Sequence, residues 1–423
     1  MNSTSPNLEG WTFNDNSRSS WDIVWTCLTT IFACTWTVQH VSVPRRNTSE
    51  GLVSAIKWFL FIVALFAPEE TVLIASDQFW HVWSLQARCN TAQAEIPSRW
   101  TIAQCWCIQM DGLTLETEDG WIFHVGMDQV AAFIEAGVIR SSDFSEREIK
   151  DRAKSDTFAK LFTICQSTWV TANIVARAGY GLPITPFEFT TLAHVACGIM
   201  AYACWWRKPQ DMAVPVTIPL RYTREKIPAD LKNLMDARPT RWMHRHVIPP
   251  KESIRTGFGI IGGRYQAVAV DAPRSGALNR SWRGLSVRDE WWLNTLAAFA
   301  AYAFCGIHVA AWNFAFPTYP EAIAWRVFSL VALSMAVIVY ILAQIPLAAQ
   351  WLKLQGAPLP AAMNNLSDPH GRYTWVEIYV PLICVAVYAL ARLGLLAITL
   401  SSLRALPNGA YTAVDWLGSI PHV

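Results

Sequence analysis

The feature that most limits how this chain folds is where its charge is missing. Seven windows, at 21–40, 55–76, 158–178, 187–206, 291–312, 324–345 and 374–400, are nearly free of Asp, Glu, Lys and Arg. An α-helix rises about 1.5 Å per residue, so about 20 apolar residues cross the roughly 30 Å of hydrocarbon in a bilayer. Each window meets or approaches that length. Charged residues make up only 16% of the chain, apolar residues 52%, and 22 residues are Trp; a typical soluble domain is about 25% charged. The pattern predicts an all-α fold: a polytopic transmembrane helical bundle of about seven spans, with 1–423 forming a single integral membrane domain. The window at 158–178 is the weakest, because Gln166, Thr168, Thr171 and Asn173 dilute it and Arg177 closes it. Without it the count is six.

The same numbers exclude other classes. Disorder needs low hydrophobicity, coiled coils need sustained heptads, and disulfide scaffolds are short and Cys-dense. A net charge of +2 selects no nucleic-acid partner. The ten Cys are scattered and mostly lie in apolar windows, where Cys behaves as a small hydrophobe. Cys105 and Cys107 have no second Cys or His pair at zinc spacing, so no metal site is expected. No small-x-small cleavage site follows the first apolar run, and no cleaved signal peptide is expected.

Two long polar segments, 77–157 and 207–290, separate the windows. In the first, Trp80, Trp83, Trp100, Trp106 and Trp121 stand beside charged residues, which suits short helices at the headgroup level. The second is basic, with a β-prone piece at 214–218 and a glycine-rich run (Gly257, Gly259, Gly262, Gly263) that lacks the ending of a phosphate loop. Neither reads as an independent domain. Basic residues near span ends tend to stay cytosolic, so Arg207, Lys208, Arg283 and Arg288 place the second segment in the cytosol. With seven spans the N-terminus is then inside and the C-terminus across the membrane. Arg45 and Arg46 oppose this orientation. Asn47, in a sequon, is the expected glycosylation site, whereas Asn279 and Asn365 should stay unmodified.

Ionisable groups inside spans cost about 2.5 to 3.5 kcal/mol each on insertion scales, so each is a site candidate. If the helices alternate in direction, His40, Arg177, Glu188, His308, Glu321, Arg326 and Arg392 all fall toward one membrane face, with His194 about 10 Å deeper. Such a set suits proton transfer or recognition of a polar group. Taken singly, each also fits an interfacial anchor or a helix-joining ion pair. The sharpest local feature is Phe66-Ala67-Pro68-Glu69-Glu70. Pro68 is expected to kink the second span and free a carbonyl one turn earlier. Glu69 is then either a general acid or a pin for the kink, while Glu70, about 100° further around, need not share its environment.

Several strings together carry a resemblance: Cys34-Thr35-Trp36-Thr37-Val38-Gln39-His40 with Pro44, Phe66-Ala67-Pro68-Glu69, Trp205-Trp206-Arg207-Lys208-Pro209, Gly306-Ile307-His308, Trp312-Asn313, Phe316-Pro317, Glu321, Trp325-Arg326, Tyr388-Ala389-Leu390-Ala391-Arg392, Val414-Asp415-Trp416 and Pro421-His422. The set resembles a family of fungal polytopic membrane proteins that occur in secondary-metabolite pathways, and within it is similar to a membrane-bound terpenoid cyclase of the Diels-Alder type. The match touches most spans and leaves the two polar segments largely unmatched; Gln210 stands where Leu is expected. The resemblance carries over His40, Glu69, His308, Glu321, Arg326 and Arg392 as motif positions without roles.

The leading expectation is an enzyme of the endoplasmic reticulum membrane that cyclises or isomerises a lipophilic intermediate without a cofactor. Its pocket would hold a reactive conformer, with Glu69, His308 or Arg326 polarising a substrate carbonyl. His40, Glu188, Glu321, Arg392 and Trp312 would bind substrate, and the expected partners are that substrate, membrane lipid and other pathway enzymes. A transporter, channel or receptor is the competing class, although no matched pair of broken helices is evident. A scaffold acting through 207–290 is a third.

Overall fold

A computed structural model describes residues 7–13, 18–44, 48–93, 99–127, 129–153, 157–236, 287–356, 358 and 375–414. Asn47, Arg45, Arg46, Asn279, Asn365 and the glycine-rich run lie outside the described residues. The protein is mostly helical. The long helices are α1 (Ser20–Trp36), α2 (Glu50–Phe66) and α3 (Pro68–Ala92), followed by the short α4 (Ile102–Gln109), α5 (Val130–Glu135) and α6 (Glu146–Arg152). Next come α7 (Thr157–Gly179), α8 (Pro186–Trp205), the short α9 (Ala229–Asp236), α10 (Val287–Ala310), α11 (Tyr319–Leu354) and α12 (Trp375–Ser402). Five short strands, β1 (Leu8–Glu9), β2 (Leu113–Glu116), β3 (Ile122–His124), β4 (Val216–Pro219) and β5 (Leu406–Pro407), qualify the all-α expectation.

Four stretches among the described residues are long and apolar enough to cross a membrane: Pro186–Trp205, Asn294–Asn313, Tyr319–Lys353 and Tyr379–Ser402. Helices α2 and α3 form a fifth only if taken as one unit bent by 115°. At 17 residues α1 spans roughly 26 Å, short of the hydrocarbon thickness. Its outer stripe is nevertheless apolar and exposed, with Trp21, Trp25, Leu28 and Phe32 on one face, as a lipid-facing helix requires and a water-facing one does not.

The path of the chain differs from simple alternation. Arg18, just before α1, pairs with Glu188 in the first turn of α8. Beyond the other ends of both helices, Lys208 Nζ donates to His40 O at 3.1 Å. Helices α1 and α8 are therefore parallel. Helix α7 is antiparallel to both: Thr163 near its start meets Thr37 at 3.1 Å, and Arg177 near its end reaches Ala410 O, which Arg18 also contacts. The intervening α2 and α3 cause the difference. Lys57 of α2 pairs with Asp211 at 2.8 Å, and Gln78 of α3 accepts from Lys208 at 2.7 Å, so both limbs leave toward the end of α8. They form a re-entrant elbow. Strand β1 pairs antiparallel with β5, placing the described ends of the chain together, whereas seven complete crossings would separate them.

The polar segments also fold differently from interfacial helices. Strand β2 pairs antiparallel with β3 and parallel with β4, joining the two segments in one sheet; β4 falls within the β-prone piece expected at 214–218. Around this sheet α4, α5, α6 and α9 enclose a core that includes Trp100, Trp106, Phe133, Phe144 and Ile149, each at most 1% exposed. Trp100 and Trp106 are thus core residues, whereas Trp83 is exposed. Two capping devices define this module's edges: Thr101 accepts from the Gln104 amide, and Ser145 from that of Glu148. In the bundle, Gly394 lets α12 approach α11 closely, since a Cβ there would lie 2.6 Å from the Phe328 ring.

Candidate functional site

The elbow follows from one residue. Pro68 has no N–H to donate and disfavours the helical region for the residue before it; Ala67 accordingly takes φ −141° and ψ 69°, and Pro68 becomes the first residue of α3. The expected kink is a complete break. Breaking a helix inside an apolar bundle orphans its last carbonyls, which must find partners there. His194 Nε2 lies 3.0 Å from Leu65 O, with its Nδ1 2.9 Å from Thr190 O. Arg392 donates Nε and Nη2 to Phe66 O at 3.1 and 3.0 Å, and its guanidinium lies 3.8 Å from the centre of the Phe304 ring.

At this break lies a cavity of about 470 Å³, walled by the elbow, α10, α11 and α12. Its polar lining includes Glu69, Glu70, Tyr388 and Arg392 at the elbow, together with Asn294 of α10 and Tyr340 of α11; most of the remaining lining is apolar. The Tyr388 hydroxyl donates to Glu69 Oε1. The second oxygens of Glu69 and Glu70 are buried with no hydrogen-bond partner. Both glutamates, in the first turn of α3, line the cavity, a shared environment that their separation of about 100° around the helix left open.

The expected site residues therefore divide. Glu69 and Arg392 line the cavity; the others do not. His308 is buried behind the wall, its Nδ1 2.9 Å from Phe304 O and its ring 5.7 Å from that of Trp325. Arg326 donates Nε to Trp312 O at 3.1 Å and lies over the Trp312 ring. Glu321 caps α11 through Thr318 and pairs with Arg404 at 3.0 Å. Glu188 caps α8 through Thr185 and pairs with Arg18. Such capping carboxylates fix helix ends, and the oxygens of both are used in contacts within the protein. His40 lies at the opposite end of the bundle because α1 runs parallel to α8. Glu70, Tyr388, Asn294 and Tyr340 were not among the expected site residues. Glu70 carried a signal as a carboxyl inside an apolar window, and Tyr388 through its four-residue spacing from Arg392, which places both on one helix face.

Around His40 the notable group is Lys208, 3% exposed. Its ammonium lies 5.4 Å from the Trp106 ring centre and 4.8 Å from that of Trp205 and donates to Gln78 Oε1 and His40 O. Burial pushes Lys208 down from its ordinary 10.5 to about 7. Between those values the unfolded chain holds a proton that the folded chain lacks, so stability should rise with pH from about 7 to about 10.5, by at most about 1.4 kcal/mol per unit. Lys208→Met should remove that rise in unfolding midpoints measured in detergent between about pH 6 and 10; an unchanged rise would place the titration elsewhere.

A family of unknown function, DUF8562, matches residues 1–235 and 285–423. The chain belongs to that family. The DUF8562 match covers the first polar segment completely, and only 236–284 falls outside it. It takes in the elbow, α10, α11 and α12, and so every residue named at the cavity. No curated protein and no solved structure matches the chain.

Proposed function

We propose that the protein is a membrane-embedded enzyme, resident in the endoplasmic reticulum, that cyclises or isomerises a lipophilic intermediate held in the cavity at the elbow. The observation that carries this reading is the cavity's makeup: mostly apolar walls, with a few polar groups converging from two elements. That is the general form of a small-molecule site, and the volume falls within the usual range of about 300 to 1,000 Å³. An apolar enclosure favours folded conformers of a flexible hydrocarbon and thereby lowers the entropic barrier to ring closure. Glu69, positioned by Tyr388, and the adjacent Glu70 hold the polar end of the substrate; an isomerisation by proton shift would also use them as acid and base, whereas a Diels-Alder closure moves no proton. A Diels-Alder closure of a terpenoid, in a fungal secondary-metabolite pathway with further enzymes alongside, is the most specific form of the proposal.

Cyclisation and isomerisation conserve mass. Cells lacking the protein should accumulate a lipophilic compound isomeric with the product they lose, and the purified protein in detergent should convert one into the other. A missing product with no isomeric precursor would defeat the proposal.

One observation favours a second reading. Broken helices that meet at mid-depth are a recurrent feature of transporters, and the elbow is such a break. A transporter would move its ligand across sealed vesicles and convert nothing in detergent, whereas an enzyme needs no compartment.

A further inference from the structure

The polar groups at the elbow are unequally used. Arg392 gives two of its five N–H groups to Phe66 O, and Tyr388 gives its hydroxyl to Glu69. Two acceptors have no such use. Glu69 Oε2 and Glu70 Oε2 are buried without partners, and Glu69 as a whole is only 7% exposed. A buried acceptor left unpaired costs about 1 to 3 kcal/mol, and more when charged, so a ligand that supplies a donor recovers that cost. Against Glu69, which the Tyr388 hydroxyl already uses as an acceptor, a ketone or ether would set oxygen against oxygen. From this position the lining runs along α11 from Met335 to Ala343, roughly 12 Å at helical rise. Among its other residues Ala298, Ala301 and Val339 offer only dispersion contacts. The hydroxyl of the lining residue Tyr340 already meets Thr295 Oγ1 at 3.2 Å. On α12 the lining residues Ala389 and Leu393 are exposed, so the cavity is not sealed from the surroundings of the bundle.

We infer that the cavity takes a lipid-dissolved amphiphile whose polar end is a hydrogen-bond donor, a hydroxyl or an amine. The head is seated on Glu69 and Glu70, and the apolar body lies along α10 and α11. This inference deepens the proposed function and rests on the same cavity being its substrate site. It also redirects the expected chemistry, because the groups left free at the elbow recognise a donor-bearing head, whereas Arg326 and His308, expected to polarise a carbonyl, lie outside the cavity.

The test uses the full-length protein in detergent and three photoreactive probes: a medium-chain alkanol carrying a diazirine, the matching alkylamine, and the methyl ether of the alkanol. Labelled peptides are read by mass spectrometry. The alkanol and the amine should label the α11 wall between Met335 and Ala343 about tenfold more than the ether, a difference of about 1.4 kcal/mol. Glu70→Met should lower labelling by the two donor probes, and Glu69→Met/Glu70→Met should bring it to the level of the ether. Persistence of the ether's weak labelling shows that the variants still fold; if the double variant loses it, Glu70→Met alone decides. Equal labelling by ether and alkanol, or donor labelling unchanged by Glu70→Met, would overturn the inference. The hydroxyl and amine arms separate the two heads. Donor-dependent labelling without isomer conversion would count against the proposed reaction and leave the site standing; conversion with donor-independent labelling would do the reverse.

Discussion

Replacing Arg177 by methionine is expected to cost about 3 to 5 kcal/mol of unfolding free energy, the largest single loss anticipated in the bundle. Arg177 is 1% exposed at the end of α7. It donates to Pro183 O through Nε and Nη2, to Thr412 O through Nη1, and to Gly409 O and Ala410 O through Nη2, at 2.8 to 3.2 Å. These carbonyls belong to the α7–α8 turn and to the segment after β5, so one guanidinium joins the middle of the chain to its C-terminal strand. Methionine fills much of the volume and leaves Pro183 O and Thr412 O without donors, while Ala410 O keeps Arg18 and Gly409 O keeps the Thr412 N–H. Arg177→Lys should recover less than half of the loss, because a single ammonium cannot reproduce a planar fork. Tryptophan-monitored unfolding in detergent measures both; a loss below about 1 kcal/mol for Arg177→Met would contradict this account of the carbonyl cluster.

The second large effect is expected at Arg392. Arg392→Met leaves Phe66 O unpaired at the broken end of α2 and removes the cation from the face of Phe304. Together these changes should cost about 2 to 4 kcal/mol. They should also act locally: amide hydrogen exchange across 63–72 should accelerate while the α4–α6 module keeps its protection. Uniform acceleration, or none, would mean that the elbow does not depend on this contact.

These two arginines show what the sequence discloses and what it withholds. The apolar windows at 187–206, 291–312, 324–345 and 374–400 match the helices able to cross a membrane, because hydropathy averaged over about 20 residues measures the quantity a bilayer selects. The same averaging hides the module between α3 and α7, whose core is assembled from pieces of three to eight residues and completed by β4 from about 100 residues downstream. Pro68 announces a disturbance, yet whether a proline kinks a helix or ends it depends on partners for the freed carbonyls, and those come from α8 and α12. At the site, Glu69 and Arg392 are legible as costly polar groups in apolar surroundings. Glu188, Glu321 and Arg326 carry the same signal and serve as caps and clamps. Spacing cannot separate these roles, since Thr185 and Thr318 make capping boxes only once a helix begins there.

The re-entrant elbow is the claim on which the cavity depends, and membrane topology tests it most directly. Protease-sensitive tags placed at the N-terminus, at the C-terminus and in the exposed turn Arg224–Lys226 can be compared in sealed vesicles. With α2 and α3 turning back, both terminal tags share one side and the internal tag lies on the other. Terminal tags on opposite sides of the membrane would contradict the account.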